Sequence, residues 1–247
     1  MLGTGNLFCG DANYSAVNCN DKTLPRKDAS SISYTKQLNK VYHAHRYFIY
    51  DLFQVLFMKK IILASKSPRR KQLLQWAEVE FDVVVKETDE SYPPGLSADK
   101  VAIHIAKQKA LVVQKDTPSD SIIIGSDTIV VLGKRMIGKP QTKEEAINIL
   151  TDLSGHTHIV ITGVCILQNK KETTFADATD VQFHNLTKEQ IEFYVEKYRP
   201  YDKAGAYAIQ EWIGVVGIKS VNGDFYNVMG LPVSRVLKEL EKFTPNP

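Results

Sequence analysis

A mixed α/β fold of α+β character, built on a mixed sheet, is predicted by three observations. A short apolar strand runs directly into a capped helix near residue 67. A hairpin signal at Gly133-Lys134 interrupts a β-rich run, and helix caps alternate with β-branched segments down the rest of the chain. That pattern excludes a repeat array and a purely parallel barrel.

Taken in order, Lys60–Ala64 reads as a buried strand, and Ser67 followed by Pro68 is a helix start with serine as cap and proline at the first helical position. Leu73, Leu74 and Ala77 form the inward stripe of that helix, and Phe81–Val85 is a second strand candidate before the break at Pro93-Pro94-Gly95. From Ser97 the pattern is helical, with Val101, Ile105 and Val112 on one face and Lys109 beside them. Ser121–Leu132 is a strand, and the Gly133-Lys134 turn returns it through Met136-Ile137. Thr142-Lys-Glu-Glu145 opens a helix that ends near Gly155. Strands follow at Ile159–Leu167 and Thr179–Phe183, then a helix opened by Thr187-Lys-Glu-Gln190. Asn222-Gly223 is expected to join two further strands, and Pro232 to open a terminal helix.

With 247 residues, 43% hydrophobic and 24% charged, the chain has the composition of a folded protein with a sizeable core. Its net charge of +3 gives no basic face for nonspecific nucleic-acid binding, so any anion site must be local. Residues 1–57 differ from the remainder: they hold no glutamate and two of the three cysteines, Cys9 and Cys19. Four lysines and two arginines against four aspartates give this leader +2 of the total charge. It is read as poorly ordered upstream sequence joined to a domain covering 58–247; the alternative is a small docking element built on Tyr47–Phe57. No apolar run is long enough for a membrane span, and the leader lacks the pattern of a secretion signal. Three cysteines at wide, irregular spacing fit reduced thiols, so a cytoplasmic location is expected.

Several residues carry chemistry beyond what the fold requires. Arg69 and Arg70 sit in the first turn of the helix opened by Ser67, where the macrodipole is already positive. Either an anion binds there, with backbone N–H groups and guanidinium groups converging on phosphate, or two arginines are simply solvated. Lys109, in an apolar stripe, must snorkel or find a partner such as a ligand phosphate. Asp127 interrupts the run Ile122–Leu132, where an unpaired carboxylate is costly to bury. A metal ion or an activated water would compensate it, as would a structural hydrogen bond. Lys139 follows the returning strand at a place from which it could reach back to Asp127, and Glu90, beside Asp89 and the Pro-Pro-Gly break, is either a second acidic group of a site or a solvated turn residue.

In this order the pieces resemble the Maf family, also called septum-formation proteins, which are nucleoside triphosphate pyrophosphatases. The resemblance covers nearly all of residues 58–247 and is carried by several motifs. Leu-Ala-Ser-Lys-Ser-Pro-Arg-Arg at 63–70, Ala-Lys-Gln-Lys-Ala at 106–110, Gly-Ser-Asp-Thr at 125–128 and Gly-Lys-Pro at 138–140 come first. Leu-Ser-Gly-His-Thr-His at 153–158, Asp-Lys-Ala-Gly-Ala-Tyr-Ala-Ile-Gln at 202–210 and Gly-Leu-Pro at 230–232 complete the set. It implies an elongated mixed sheet flanked by helices, and hydrolysis between the α and β phosphates with Mg²⁺ or Mn²⁺. It further implies Asp127 as the proton acceptor, Asp127 and Glu90 near the metal, and Arg70, Lys109 and Lys139 on phosphate oxygens with Ser65 and Ser67 completing the cradle. A homodimer is implied in the same way.

Branches of that family separate at three positions, and Arg69, Thr128 and Gln210 match the branch preferring dTTP and UTP. An amide at 210 both donates and accepts, which suits a pyrimidine edge. The other readings are a pyrophosphatase for 7-methyl-GTP or for noncanonical purines such as ITP, and a nucleotide-binding regulator of cell division without turnover. Lys66, where the family often has Gly or Thr, and the leader are the departures from the pattern.

Overall fold

The computed structural model describes residues 60–243, so the expectations for the leader lie outside the described residues. In chain order it contains β1 (Ile61–Ala64), α1 (Pro68–Trp76), β2 (Asp82–Val83), α2 (Ala98–Gln114), β3 (Ile122–Leu132) and β4 (Arg135–Ile137). There follow α3 (Lys143–Leu153), β5 (Thr157–Gln168), β6 (Lys171–Phe183) and α4 (Lys188–Tyr198). The last elements are α5 (Trp212–Gly217), β7 (Ile218–Asn222), α6 (Phe225–Met229) and α7 (Val233–Leu240), with short 3₁₀ turns at Ala204–Ala206 and Glu241–Phe243. The seven strands form one mixed sheet in the order β2-β1-β3-β5-β6-β7, with β4 paired to β3. β1 is parallel to β2 and β3; the other pairings are antiparallel.

Helices cover both faces of the central strands, which explains the nearly unbroken apolar runs of β1 and β3. On one face Ile61, Leu63, Ile122 and Ile124 pack with Leu73 and Leu74 of α1, Leu150 of α3 and Val236 of α7. On the other, Ile62, Ile123 and Cys165 meet Ala106, Ala110 and Val113 of α2. The approach of α2 is closest at two glycines. A Cβ on Gly125 would lie 2.2 Å from the Ala106 carbonyl oxygen, and one on Gly163 would lie 2.3 Å from the Ala102 carbonyl carbon.

The register of β1 on β3 fixes where the site forms. Ala64 pairs with Gly125, so the chain leaves β1 level with Ser126 and Asp127, and the first turn of α1 lands beside them. Ser67 caps α1 with an extended backbone, Thr142 caps α3, and Thr187 with Gln190 forms a full capping box on α4.

Four sequence expectations are corrected. β2 is only Asp82–Val83, because it pairs along a short edge with its side chains in solvent. β6 begins at Lys171 instead of Thr179: it pairs with β5 along its whole length while one face stays wet, so its first half reads as polar. No strand follows Asn222-Gly223, since the Asp224 carboxylate accepts the Tyr226 N–H at 2.8 Å and caps α6. Val113 and not Val112 completes the buried face of α2. Among the described residues, no helix is long and apolar enough to cross a membrane.

Candidate active site

The end of β1, the first turn of α1, the middle of β3 and α2 converge on a cavity of about 540 Å³. Sequence reasoning placed Ser65, Ser67, Arg69, Arg70, Glu90, Lys109, Asp127, Thr128 and Lys139 in a site, and the fold brings all nine to the wall of this cavity.

Lys109 is the hub. Its Nζ donates to Asp127 Oδ1 at 2.7 Å and lies 2.8 Å from Glu90 Oε1, so one ammonium group bridges two carboxylates. It therefore does not snorkel to solvent; the apolar stripe of α2 carries it across the sheet to Asp127. Asp127 is 8% exposed, and its second oxygen, Oδ2, has no hydrogen-bond partner among the described residues. Glu90 is about half exposed. Partial burial pushes its carboxyl upward, but the hydrogen bond and charge of Lys109, with Lys139 and Arg70 further off, outweigh this and hold it below the usual glutamate value. Lys139 is exposed at the rim just beyond β4.

Arg70 is more deeply built in than its sequence position suggests. It is 9% exposed, and three of its donors are taken by the protein. Nε donates to the Gly230 carbonyl at 2.8 Å, Nη1 to Ser65 Oγ at 3.1 Å, and Nη2 to Thr128 Oγ1 at 3.0 Å. Burial draws its pKa below the ordinary arginine value, and the Asp127 carboxylate opposes that effect. Arg70 thus clamps α1 to β3 and to the α6–α7 junction, with two of its five N–H groups left for a ligand. Ser65 Oγ also accepts the Ser67 N–H at 3.2 Å, which shapes the turn into α1.

The three positions read for specificity do not all gather. Arg69 lines the cavity and donates through Nη1 to Asp202 Oδ2 at 3.0 Å. Thr128 lines it too, but its hydroxyl is shared between Arg70 and Thr162. Gln210 is exposed and stands two residues beyond Ala208, the last residue of its segment on the cavity wall.

Sequence reasoning missed the apolar wall of Val130, Val160, Tyr207, Val228 and Met229, and it gave Asp202 no part. Tyr207 is held from behind by His158, whose Nε2 is 2.7 Å from the Tyr207 hydroxyl. Both residues lay in quoted motifs, but a tyrosine and a histidine 49 positions apart give no sign in sequence that they meet. Among the described residues, no group of three or more His, Cys, Asp or Glu side chains could hold a metal ion. The available donors are the two carboxylates on Lys109.

The family model described as Maf-like protein matches residues 60–243, the span that carries every one of these groups. The chain belongs to the Maf-like protein family. One relative, the dTTP/UTP pyrophosphatase of Cytophaga hutchinsonii, is 51% identical over 186 residues, which is 75% of this chain and 85% of that protein. Another, the dTTP/UTP pyrophosphatase of Parabacteroides distasonis, is 46% identical over 74% of this chain and 96% of its own. Among solved structures, the Staphylococcus aureus Ham1 protein is similar over 74% of this chain and 99% of its own, with 16% identity and a TM-score of 0.44. The Ser65–Arg70 turn and the Lys109 hub both lie within the span that the family model matches.

Proposed function

We propose that this Maf-like chain is a nucleoside triphosphate pyrophosphatase that hydrolyses dTTP and UTP to the monophosphate and pyrophosphate. One observation carries the reading: Lys109 bridges Asp127 and Glu90 beneath a helix N-terminus in a cavity large enough for a nucleotide. The two relatives named for this activity support the substrate class.

In this mechanism Asp127 Oδ2 accepts a proton from a water molecule, whose oxygen then bonds to the α-phosphorus. The bond from that phosphorus to the bridging oxygen breaks, and pyrophosphate leaves with the electron pair. Lys109, Lys139 and the free N–H groups of Arg70, all on the cavity wall, would meet the negative charge that builds on the phosphate oxygens. The Ser65 and Ser67 hydroxyls accept the Ser67 and Arg70 N–H groups and so fix the turn beside the same ligand.

Two carboxylates are few for a metal cage, yet they fit Mg²⁺ or Mn²⁺, which a protein often holds through one or two carboxylates while substrate phosphates and water supply the remaining oxygens. Asp127 and Glu90 would hold such a cation. It would supply neutralisation of triphosphate charge at the reacting centre.

The test is to incubate the purified chain with dTTP, UTP, 7-methyl-GTP, ITP and the common triphosphates plus Mn²⁺ and to measure pyrophosphate release. Release fastest from dTTP and UTP is expected. Release from none would sink the enzyme reading, and a preference for 7-methyl-GTP or ITP would sink the substrate assignment.

A further inference from the structure

Phosphate-binding residues cannot tell one nucleoside triphosphate from another, because all carry the same phosphates. Base choice must be made elsewhere on the cavity wall. Among the described residues, the wall holds one carboxylate outside the Lys109 hub: Asp202, paired with Arg69 at 3.0 Å.

This carboxylate is fixed from two directions. Lys203, 7% exposed, donates through Nζ to Asp202 Oδ1 at 2.8 Å, while Arg69 holds Oδ2. Lys203 also lies 3.5 Å from Glu211 Oε1. Glu211 in turn accepts the Tyr194 hydroxyl, and the oxygen of that hydroxyl takes the Ala208 N–H. Asp202 is thereby tied to the segment that walls the cavity with Tyr207 and Ala208. Partial burial pushes its carboxyl upward, but Lys203 and Arg69 prevail and hold it below the usual aspartate range.

An ionised carboxylate with one cation on each oxygen still has lone pairs to spare, and it can only accept. Arg69 beside it can only donate, and its pairing with Asp202 engages one of its two terminal nitrogens. The pair presents an acceptor next to a donor in the cavity whose apolar wall suits a flat base. Uracil and thymine carry the complement, an N3–H flanked by two carbonyl oxygens. Cytosine presents a bare N3 and an exocyclic amine instead.

We infer that Asp202 accepts the N3–H of uracil or thymine while Arg69 donates to the adjacent carbonyl, so that this pair selects against cytosine. The inference rests on the dTTP/UTP reading above. With cytosine in the same place, Asp202 meets a lone pair and Arg69 meets an amine, and both contacts are repulsive. Hydrogen bonds to charged groups are worth enough to separate substrates by roughly 10- to 100-fold.

The experiment measures kcat and KM of the full chain for UTP, 3-methyl-UTP and CTP with Mn²⁺, in the wild type and in Asp202→Asn. The wild type is expected to lose about 10- to 100-fold in kcat/KM when N3 is methylated. In Asp202→Asn the UTP-to-CTP preference is expected to shrink by at least about tenfold, through KM more than kcat, because an amide can donate to cytosine N3. An Asp202 that only braces the fold would instead lower UTP and CTP together and leave their ratio alone. Equal use of UTP and 3-methyl-UTP by the wild type overturns the inference even if the variant does not fold. So does an unchanged ratio in a folded, active variant. A wild type that hydrolyses neither UTP nor dTTP overturns the parent reading and takes this inference with it.

Discussion

Asp127 on β3 stands directly opposite Gly163 on β5 in the antiparallel register, and the missing side chain of Gly163 is what lets α2 cross the sheet at this level. A Cβ there would lie 2.3 Å from the Ala102 carbonyl carbon and 2.4 Å from the Ile103 nitrogen. Lys109 follows Ala102 by seven residues, two turns along the same face, and that places its ammonium on Asp127. The Lys109–Asp127 contact thus depends on backbone packing at a residue outside the cavity wall.

Gly163→Ala is therefore expected to push α2 off the sheet. Overpacking of this kind costs about 1–3 kcal/mol, which for a domain of this size is roughly a 3–10 °C fall in Tm. Turnover falls with it as Lys109 leaves Asp127. Calorimetry and a pyrophosphate assay check both; an unchanged Tm would show that the helix has room this packing denies it.

The two arginines of α1 are expected to respond differently to replacement by lysine. Arg70→Lys loses three hydrogen bonds made by a fork that an ammonium cannot reproduce, leaving Ser65, Thr128 and the Gly230 carbonyl short of partners. A loss of about 2–3 kcal/mol in urea unfolding is expected. Arg69→Lys changes a partly exposed ion pair with Asp202 and is expected to stay within about 1 kcal/mol of the parent. Equal losses from the two variants would show that Arg70 is not the clamp.

Asp127→Asn keeps the shape of the side chain but removes the proton acceptor of the proposed mechanism. A fall in kcat of at least about 10²-fold with intact secondary structure is expected. Near-normal turnover would remove Asp127 from that position in the mechanism.

His158 makes stability depend on pH in a defined window. Burial alone lowers its pKa from 6.5 to about 4, and its Nδ1 has no partner. The unfolded chain takes up a proton on this ring as pH drops below 6.5, while the folded chain resists until about 4. The contribution is therefore fully present above pH 6.5, shrinks as pH falls, and is spent near pH 4; its size is about 3 kcal/mol. His158→Phe should flatten the stability curve across that window, although it also leaves the Tyr207 hydroxyl without its partner. Urea unfolding at several pH values between 4 and 7 measures the slope.

Local signals determined much of this protein from sequence. Ser67-Pro68, Thr142 and Thr187 with Gln190 start helices where their side chains satisfy free N–H groups, and that chemistry is complete within four residues. The apolar runs of β1 and β3, the hairpin at Gly133-Lys134 and the oddly placed charges of Arg69, Arg70, Lys109 and Asp127 are equally local facts. A charge set in an apolar stripe announces that it needs a partner without naming one.

Only the tertiary structure decided who the partners are. The register that levels Ala64 with Gly125, and the close crossing of α2 at Gly125 and Gly163, bring Lys109 onto Asp127 and Glu90. The same packing made Arg70 a three-way clamp, set Asp202 beside Arg69, and left Gln210 off the cavity wall. Such contacts join residues up to 160 positions apart, and their energies depend on burial and geometry that exist only once the sheet has formed.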